Sequence, residues 1–406
     1  MPAARRRHIL VLASTYPRWA GDPEPGFVHE LCRRLTARFE VTALVPDAPG
    51  AQADGMLDGV EVVRYRYAPR RWQTLVTGGG IVANLRRSPW KGLLLPGFLA
   101  GQYLAALRLL RARRFDAIHA HWLIPQGLVA RALAARAPYL VTSHGGDLYG
   151  LRGRLPTALK RRVAAAAAGM TVVSTAMREE ARRLGLHPPR LEVLPMGVDL
   201  TGRFVPDAAV ARDPDRLLFV GRLVAKKGLH HLLEALPGVR ARRPGATLDI
   251  VGYGPEEPAL RAQAQRLALG DSVRFLGARQ QKDLPALYRR AALLVAPFVR
   301  DASGDQEGLP VVLMEAAACG CPVLAGDVAG VGDLLGPAAA EVTVPAADTA
   351  RLAAAVLRLL EDPAAAAAAA ARVRGHAADR FDWARVAGAY GDLLESCAAS
   401  GSREAA

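Results

Sequence analysis

Cysteine is sparse in this 406-residue chain, with four residues at Cys32, Cys319, Cys321 and Cys397. Their spacing offers neither a zinc-ligand set nor a disulfide framework. Cys319-Gly320-Cys321 reads as packing at a helix end, and a reducing, cytoplasmic setting is expected. Long apolar runs are also missing. After Arg5-Arg6-Arg7, the run Ile9–Ala13 is too short for the core of a signal peptide. The longest uncharged apolar stretch, Gly92–Leu107, is interrupted by Pro96, Gly97, Gly101 and Gln102, short of the ~20 residues that span a bilayer. A soluble or peripheral protein is expected. The third shortage is of acid: no Asp or Glu lies between Glu61 and Asp116.

Hydrophobic residues make up 51% of the chain and charged residues 22%, which supplies a large core and excludes global disorder. At ~100–200 residues per domain, this length implies two or three domains. Lys and Arg number 53 against 38 Asp and Glu, a formal charge of +15. Residues 1–200 carry 29 basic and 14 acidic groups and residues 201–406 carry 24 of each, so the excess lies wholly in the first half. It is centred on residues 62–115, where Arg64, Arg66, Arg70, Arg71, Arg86, Arg87, Lys91, Arg108, Arg111, Arg113 and Arg114 meet no acid. Such a field attracts anionic lipid, nucleic acid or an acidic ligand, while an Arg-rich composition also simply decorates solvated faces.

Short apolar runs alternate with helical patterns, the grammar of parallel-sheet α/β domains. His8–Ala13 reads as a buried strand, followed by a Pro/Gly-rich loop to Gly26 and a helix over Phe27–Arg38. Strands are expected at Val41–Val45, Val60–Tyr65, Ala117–His119, Tyr139–Thr142, Met170–Val173 and Leu191–Leu194, with a helix at Gln126–Arg136 and another ending near Gly169. Residues 200–215 read as a linker. The grammar then restarts with strands at Leu217–Val220, Thr247–Val251, Val273–Leu276, Leu293–Ala296 and Val323–Ala325, and helices at Gly228–Leu236 and Glu256–Leu267. The alanine run Ala364–Ala371 favours helix, and a closing helix, Trp383–Ser396, is expected to pack back on the body. The resulting division is 1–199, 200–380 and a C-terminal segment 381–406: two Rossmann-like parallel-sheet domains facing a central cleft.

Four segments carry chemistry. In Asp305-Gln-Glu307-Gly-Leu-Pro-Val-Val-Leu-Met-Glu315, Pro310 suits the first turn of a helix and Gly320 its C-terminal cap. Glu307 and Gly308 then precede a helix N-terminus, where free N–H groups favour an anion. Glu315, an acceptor-only carboxylate inside that helix, suits a pair of vicinal hydroxyls. On spacing alone, Glu307 as a helix cap and Glu315 as a solvated side chain stand equally. In Val220-Gly-Arg222-Leu-Val-Ala-Lys226-Lys227-Gly228, cations at a strand's C-terminal end suit a diphosphate, with the two lysines competing for one role. Thr142-Ser-His144-Gly-Gly-Asp147 ends another strand and lets a ligand approach the backbone closely, although a single His is more often packed and satisfied. His119 and His121 repeat that placement, with packing the stronger reading. In the loop Ser14–Gly26, Gly26 leaves a helix N-terminus open to a phosphate or merely tightens the helix entry.

Together, in this order, the segments resemble the retaining GT-B glycosyltransferases of group 1 (family 4). Glu307 and Glu315 match the family's E-x7-E signature, Arg222 and Lys227 its GRL…KG motif, Asp249–Pro255 its G-x-G-P strand end, and His144 its His-Gly-x-Asp. Met196-Gly-Val-Asp199 is similar to its NGVD junction, with Met in place of Asn, and the first loop has one glycine beside the helix where many members have two. The resemblance covers nearly the whole chain and is strongest over residues 217–330. It implies donor binding by Gly26, Arg222, Lys227, Glu307, Gly308, Leu309 and Glu315, with Glu315 on the ribose hydroxyls and Arg222 and Lys227 on the departing diphosphate. It implies catalytic roles for His144, Glu307, Arg222 and Lys227, transfer with retention, and no metal or other cofactor. The glutamates are then not a glycosidase acid–nucleophile pair.

The expected partners are a UDP- or GDP-sugar and a glycan or polyprenyl-diphosphate-linked acceptor, and the Asp305 variant of the signature resembles members acting in surface polysaccharide assembly. Residues 62–115, with Trp72 and Trp90-Lys-Gly-Leu-Leu-Leu, fit contact with an anionic membrane at the inner face of the plasma membrane; a buried helix with Arg on its outer face fits equally. A nucleotide-dependent dehydrogenase would need G-x-G-x-x-G after the first strand, which Ser14–Gly26 lacks, and Gly252-Tyr-Gly254 meets Glu257 where the third glycine belongs. No nucleic-acid-binding module is present. A UDP-sugar 2-epimerase, or a non-catalytic binder of anionic ligands on the same scaffold, remains an alternative.

Overall fold

Val, Leu, Ile and Ala in unbroken runs suit strands covered on both faces, and β1 (His8–Leu12, HILVL) is buried at every residue. The computed structural model describes residues 5–404 apart from 23–25, 53, 78, 79 and 303. Its first sheet comprises β1, β2 (Glu40–Pro46), β3 (Gly55–Leu57), β4 (Val60–Tyr65), β5 (Ala117–His121), β6 (Tyr139–Ser143), β7 (Gly169–Val172) and β8 (Leu191–Val193). Their order across the sheet is β3-β4-β2-β1-β5-β6-β7-β8. Every pairing is parallel except the β3–β4 hairpin.

The second sheet comprises β9 (Asp213–Val220), β10 (Thr247–Val251), β11 (Val273–Gly277), β12 (Ala291–Ala296), β13 (Val323–Gly326) and β14 (Thr343–Val344), in the order β11-β10-β9-β12-β13-β14. All its pairings are parallel. Each fully buried Leu, Ile, Val or Phe contributes roughly 1.5–3 kcal/mol, so strand cores rather than helix propensity carry the architecture. In each sheet the strand order reverses once, between β1 and β5 and between β9 and β12. At such a switch point, adjacent loops diverge from the strands' C-terminal ends and leave room for a ligand.

Met1–Met196 with Ala384–Ala406 form one unit and Gly197–Trp383 the other. The helix Trp383–Glu404 joins the first unit through Arg38, whose guanidinium lies 2.8 Å from both Asp392 and Glu395. Tyr390, fully buried on the same helix, donates to the Leu194 carbonyl at 3.1 Å. The helix with the alanine run extends over Pro363–Phe381.

Three expectations change. Residues 200–215 are not a bare linker: Phe204 enters the second core, and Arg212 donates to the carbonyls of Tyr288, Ala291 and Gly320. The apolar stretch from residue 92 is not broken, because Pro96 falls in the first turn of the helix Leu95–Ala112, where no N–H is required. Gly97 and Gly101 let that helix lie against the Tyr67 and Arg66 carbonyls. The helical run Pro89–Ala112 thus has 24 residues and, by length and composition alone, could cross a membrane; in this fold Phe98, Gln102 and Ala106 are buried. Finally, the basic segment is partly structural. Lys91 is buried and donates to Thr74 O and Asn84 Oδ1, and Arg64 ties down the loop after β1 through Pro17 O. Arg66, Arg70, Arg71, Arg108, Arg111 and Arg114 are exposed, as are Trp72, Trp90 and Leu93.

Candidate functional site

The chemistry-bearing residues gather at the two switch points as two clusters of opposite character. In the second unit, β9 ends at Val220, and the turn Gly221–Gly228 leads into the helix Leu229–Arg242. Gly228 has φ +68°, and a Cβ there would stand 1.8 Å from the Pro297 carbonyl, so only glycine lets the lysine turn pass the end of β12. Gly252, at φ +139°, likewise brings the end of β10 against Gly221.

Lys226 and Lys227 are therefore held close to the loop after β12. Lys227 Nζ lies 3.0 Å from Glu307 Oε2 and 4.8 Å from the Phe298 ring centroid. Lys226 Nζ lies 3.4 Å from Asp305 and 3.5 Å from Glu307 Oε1. The competition between the two lysines thus ends with both in the cluster. Arg222 is half-buried and close enough to weigh on both ammoniums. Burial pushes the Glu307 carboxyl up, but Lys227 and Lys226 outweigh it and bring its pKa to about 2. Burial is also the largest influence on each lysine. Lys226, facing Glu307 and Asp305, is nevertheless held above the usual ammonium range, whereas Lys227, with one carboxylate and two neighbouring cations, is held below. Lys226 and Lys227 face Asp305 and Glu307 with Arg222 beside them, so an incoming diphosphate finds cations already oriented.

Glu307, Gly308 and Leu309 lead into the helix Val311–Ala318. Pro310 is its N-cap rather than its first helical residue, and makes no side-chain cap hydrogen bond. At the other end Gly320, φ +69°, donates to Ala317 O and Cys321 N donates to Ala316 O, which closes the helix and buries Cys319 and Cys321. Glu315 lies inside the helix, 3% exposed. Tyr288 OH donates to its Oε2 at 2.8 Å and Gln281 Nε2 to its Oε1 at 2.7 Å, while Arg203 holds the Gln281 carbonyl at 2.7 Å. Burial raises the carboxyl to a pKa of about 7, against the pull of these donors. A carboxylate has about four acceptor positions, so two remain for hydroxyl groups. Gln281, Arg203 and Tyr288 were not foreseen. Gln281 is an exposed side chain in an irregular loop, and nothing local marks it as the partner of a buried glutamate.

Among the described residues the first-unit cluster holds no close ion pair. His144 follows β6; its Nε2 stands 2.9 Å from His121 Nδ1, at the end of β5, with the rings within 10° of parallel. The Phe27 and Trp122 rings lie 4.9 and 5.0 Å from it. Trp122 adopts φ +76°, a strained conformation for a bulky residue that costs on the order of 1–2 kcal/mol. Asp147 is buried beneath, accepting from Leu123 N, Ser143 Oγ and His144 N, so one carboxylate ties the loop after β5 to the loop after β6. Lys160, also buried, donates to Leu148 O and Leu151 O below the same loop. Burial holds His119, His121 and His144 well below the usual imidazole range.

Gly26 is the N-cap of the helix Phe27–Leu35, with φ −92° and only Pro17 within 4 Å of a built Cβ. Its backbone does not demand glycine. Residues 23–25 of that loop lie outside the described residues.

Residues 204–376 match the family model described as glycosyl transferases group 1, and residues 27–201 match that of glycosyltransferase family 4. A glycogen synthase of Mycobacterium tuberculosis (strain ATCC 25618 / H37Rv) is 32% identical over 396 residues, covering 93% of this chain and 92% of that protein. A GDP-mannose-dependent alpha-(1-6)-phosphatidylinositol monomannoside mannosyltransferase of Mycolicibacterium smegmatis is 34% identical over 290 residues, 69% of this chain and 74% of the relative. Among solved structures, sucrose-phosphate synthase from Thermosynechococcus elongatus superposes with a TM-score of 0.78 at 23% identity, over 97% of this chain and all of that one. Anabaena HepE in complex with UDP-glucose gives 0.74 at 19% identity, over 96% and 99%.

Proposed function

Because the chain belongs to the group 1 glycosyltransferases of the GT-B fold, and is thereby a nucleotide-sugar glycosyltransferase, we propose that it moves a hexosyl group from a UDP- or GDP-sugar to a glycan or lipid-linked acceptor with retention of configuration. The bond from the anomeric carbon to the diphosphate oxygen breaks, the acceptor oxygen bonds that carbon on the same face, and the acceptor proton passes to the departing phosphate.

The observation that carries this reading is the cation cluster at the β9–β12 switch point. Arg222, Lys226 and Lys227 neutralise the diphosphate as its charge grows, which gives the reaction electrostatic assistance without requiring a bound metal. Glu307, kept ionised by the lysines, and the backbone of Gly308 and Leu309 hold the sugar, and Glu315 accepts from the ribose hydroxyls. In the first unit, Gly26 admits a phosphate to the helix N-terminus, and His144 meets the transferred sugar as a neutral imidazole. The test is a thermal-shift titration with UDP, GDP and ADP. A ligand binding only the folded state at ~100 times its dissociation constant adds about 2.7 kcal/mol of stability. A shift with UDP or GDP, lost in Glu315→Ala, is the expected result; no shift with any of the three sinks the reading.

The related mannosyltransferase is named for phosphatidylinositol monomannoside, and this chain exposes Trp72, Trp90 and Leu93 in the basic half. A lipid-linked acceptor met at an anionic, cytoplasmic membrane face is the reading these features support. Co-sedimentation with phosphatidylglycerol vesicles, weakened in Trp90→Ser/Leu93→Ser, checks it; equal recovery with neutral phosphatidylcholine vesicles counts against it.

A further inference from the structure

The reaction as drawn uses His144 but not the imidazole bonded to it. His121 is fully buried, and its Nδ1···His144 Nε2 contact of 2.9 Å is the one hydrogen bond of its ring among the described residues, where its Nε2 has no partner. On the far side the His121 ring lies against His119, with centroids 4.1 Å apart. His119 is itself anchored, with Nε2 2.8 Å from Thr142 Oγ1, and Thr142 Oγ1 2.7 Å from Thr171 Oγ1. The row ends at Tyr390, 3.5 Å from Thr171. His121 is thus wedged between a fixed ring and His144 and cannot turn without breaking its one bond.

A neutral imidazole carries one N–H and one lone pair. Between His121 and His144, one nitrogen donates and the other accepts. If His144 donated from Nε2, His121 would carry its proton on Nε2, as a buried N–H with no acceptor, and orphaned buried N–H groups are the rarer vacancy. The alternative leaves His121 Nε2 as a bare lone pair, with Nδ1–H donating to His144 Nε2. His144 then holds its own proton on Nδ1, the ring nitrogen that His121 does not occupy.

We propose that His121 is a positioning residue for the transfer reaction: its hydrogen bond locks His144 in the Nδ1–H tautomer and fixes the ring, so that His144 offers the transferred sugar a donor rather than a lone pair. The chemistry recognised is an acceptor oxygen on that sugar. Phe27 and Trp122 hold the sides of the ring, and Asp147 holds its backbone. This inference rests on the reading that His144 meets the sugar, and the test separates the two.

Full-length protein labelled with 15N-histidine, with the His144 signals assigned by their loss in His144→Gln, is observed by long-range 1H–15N correlation. The wild type is expected to show a protonated Nδ1 and a bare Nε2 at His144. His121→Phe, which keeps a ring but has no donor, should lose that pattern; His121→Asn, whose amide can take the place of Nδ1–H, should retain it. Turnover of UDP-glucose or GDP-mannose, whichever releases its nucleotide, should fall at least about tenfold in His121→Phe, the order seen when the orienting partner of an active-site histidine is lost, and recover in His121→Asn. The thermal shift produced by UDP or GDP should stay unchanged in both. A wild-type His144 protonated at Nε2 overturns the proposal outright. So does full turnover in His121→Phe when His144→Ala is impaired. Full turnover in both variants overturns instead the placement of His144 at the sugar. If His121→Phe does not fold, the wild-type tautomer and the His121→Asn kinetics decide.

Discussion

The two clusters answer the same topological opportunity with opposite chemistry. At the β9–β12 switch point, Arg222, Lys226, Lys227, Asp305 and Glu307 form a knot of full charges, each desolvated in part and each dependent on its neighbours. At the β1–β5 switch point, His121, His144, Phe27 and Trp122 form a cluster of rings from which charge is excluded by burial. A diphosphate suits the first environment, with its full charges. A neutral group rich in hydroxyls also suits the second, where a tautomer matters more than a charge. The difference teaches that a shared strand topology opens room for a ligand, while local desolvation sets the chemistry offered there.

The largest effect should follow from removing a charge. Lys227→Met preserves length but removes the ammonium over the Phe298 ring and leaves Glu307 facing Lys226 alone. Turnover is expected to fall about 10²–10³-fold, as for loss of one preorganised group at a developing charge, with the fold intact by circular dichroism. A change of less than threefold would break the assignment of charge to this cluster. Gly228→Ala attacks the same knot through the backbone. The left-handed φ and the 1.8 Å approach to Pro297 O force the lysine turn away from β12, and urea unfolding should show a loss of about 3 kcal/mol or more.

The contrast also governs acid stability. His119 and His121 are fully buried and neutral in the fold, whereas their unfolded counterparts bind protons near pH 6.5. Below that pH the unfolded chain holds more protons, so stability falls on acidification, by up to about 1.4 kcal/mol per pH unit for each ring, until the folded rings titrate. For His119 that end point lies at about pH 3. Urea midpoints measured from pH 7 to 5 should drop accordingly, and His119→Phe should show the shallower slope of one ring fewer. An unchanged slope would mean that His119 is charged or exposed.

How much of this could be read before the fold was known follows the same division. The turn that carries Arg222 and Lys227 and the helix that carries Glu315 were legible because they depend on backbone devices written locally: a glycine that must turn left-handed, a proline before a helix, a glycine that closes it; the roles of Arg222, Lys227, Glu307 and Glu315 came from the family resemblance and not from spacing. The parallel sheets were legible because strands covered on both faces show as unbroken apolar runs; the short β3 (Gly-Met-Leu) and β14 (Thr-Val) were missed because two or three residues have no period. The partners of the site residues were not legible. Gln281 reaches Glu315 across 34 positions and Arg203 reaches Gln281 across 78, and no local pattern encodes a contact over such distances. Lys226 could not be separated from Lys227 because adjacent residues share every local signal, and only the loop after β12 brings carboxylates to both. Lys91 and Arg64 read as surface charge because burial of a cation depends on carbonyls supplied by loops far along the chain.

The smallest predicted effect tests whether the second unit is charged throughout. Glu315 lies in the same unit as the ionic knot, yet it shares the desolvation that marks the histidine cluster, and burial raises its pKa to about 7. As a carboxyl group raised above its unfolded value, it makes the fold progressively less stable as pH rises from about 4.5 to 7, and it passes from mostly protonated at pH 6 to mostly ionised at pH 8. Ribose hydroxyls donate, and the ionised form is the better acceptor. Affinity for an intact nucleotide sugar, UDP-glucose or GDP-mannose, should therefore rise between pH 6 and pH 8 by no more than about tenfold, one pKa unit of differential interaction. The nucleotide sugar is the right probe because its bridged diphosphate does not titrate in that range, whereas the terminal phosphate of UDP or GDP does. Glu315→Gln keeps the shape and the Tyr288 contact without an ionisable group, so its affinity should be lower at pH 8 and flat across the range. A wild-type profile as flat as that of Glu315→Gln would place Glu315 with the permanently charged residues and sharpen the contrast between the two clusters.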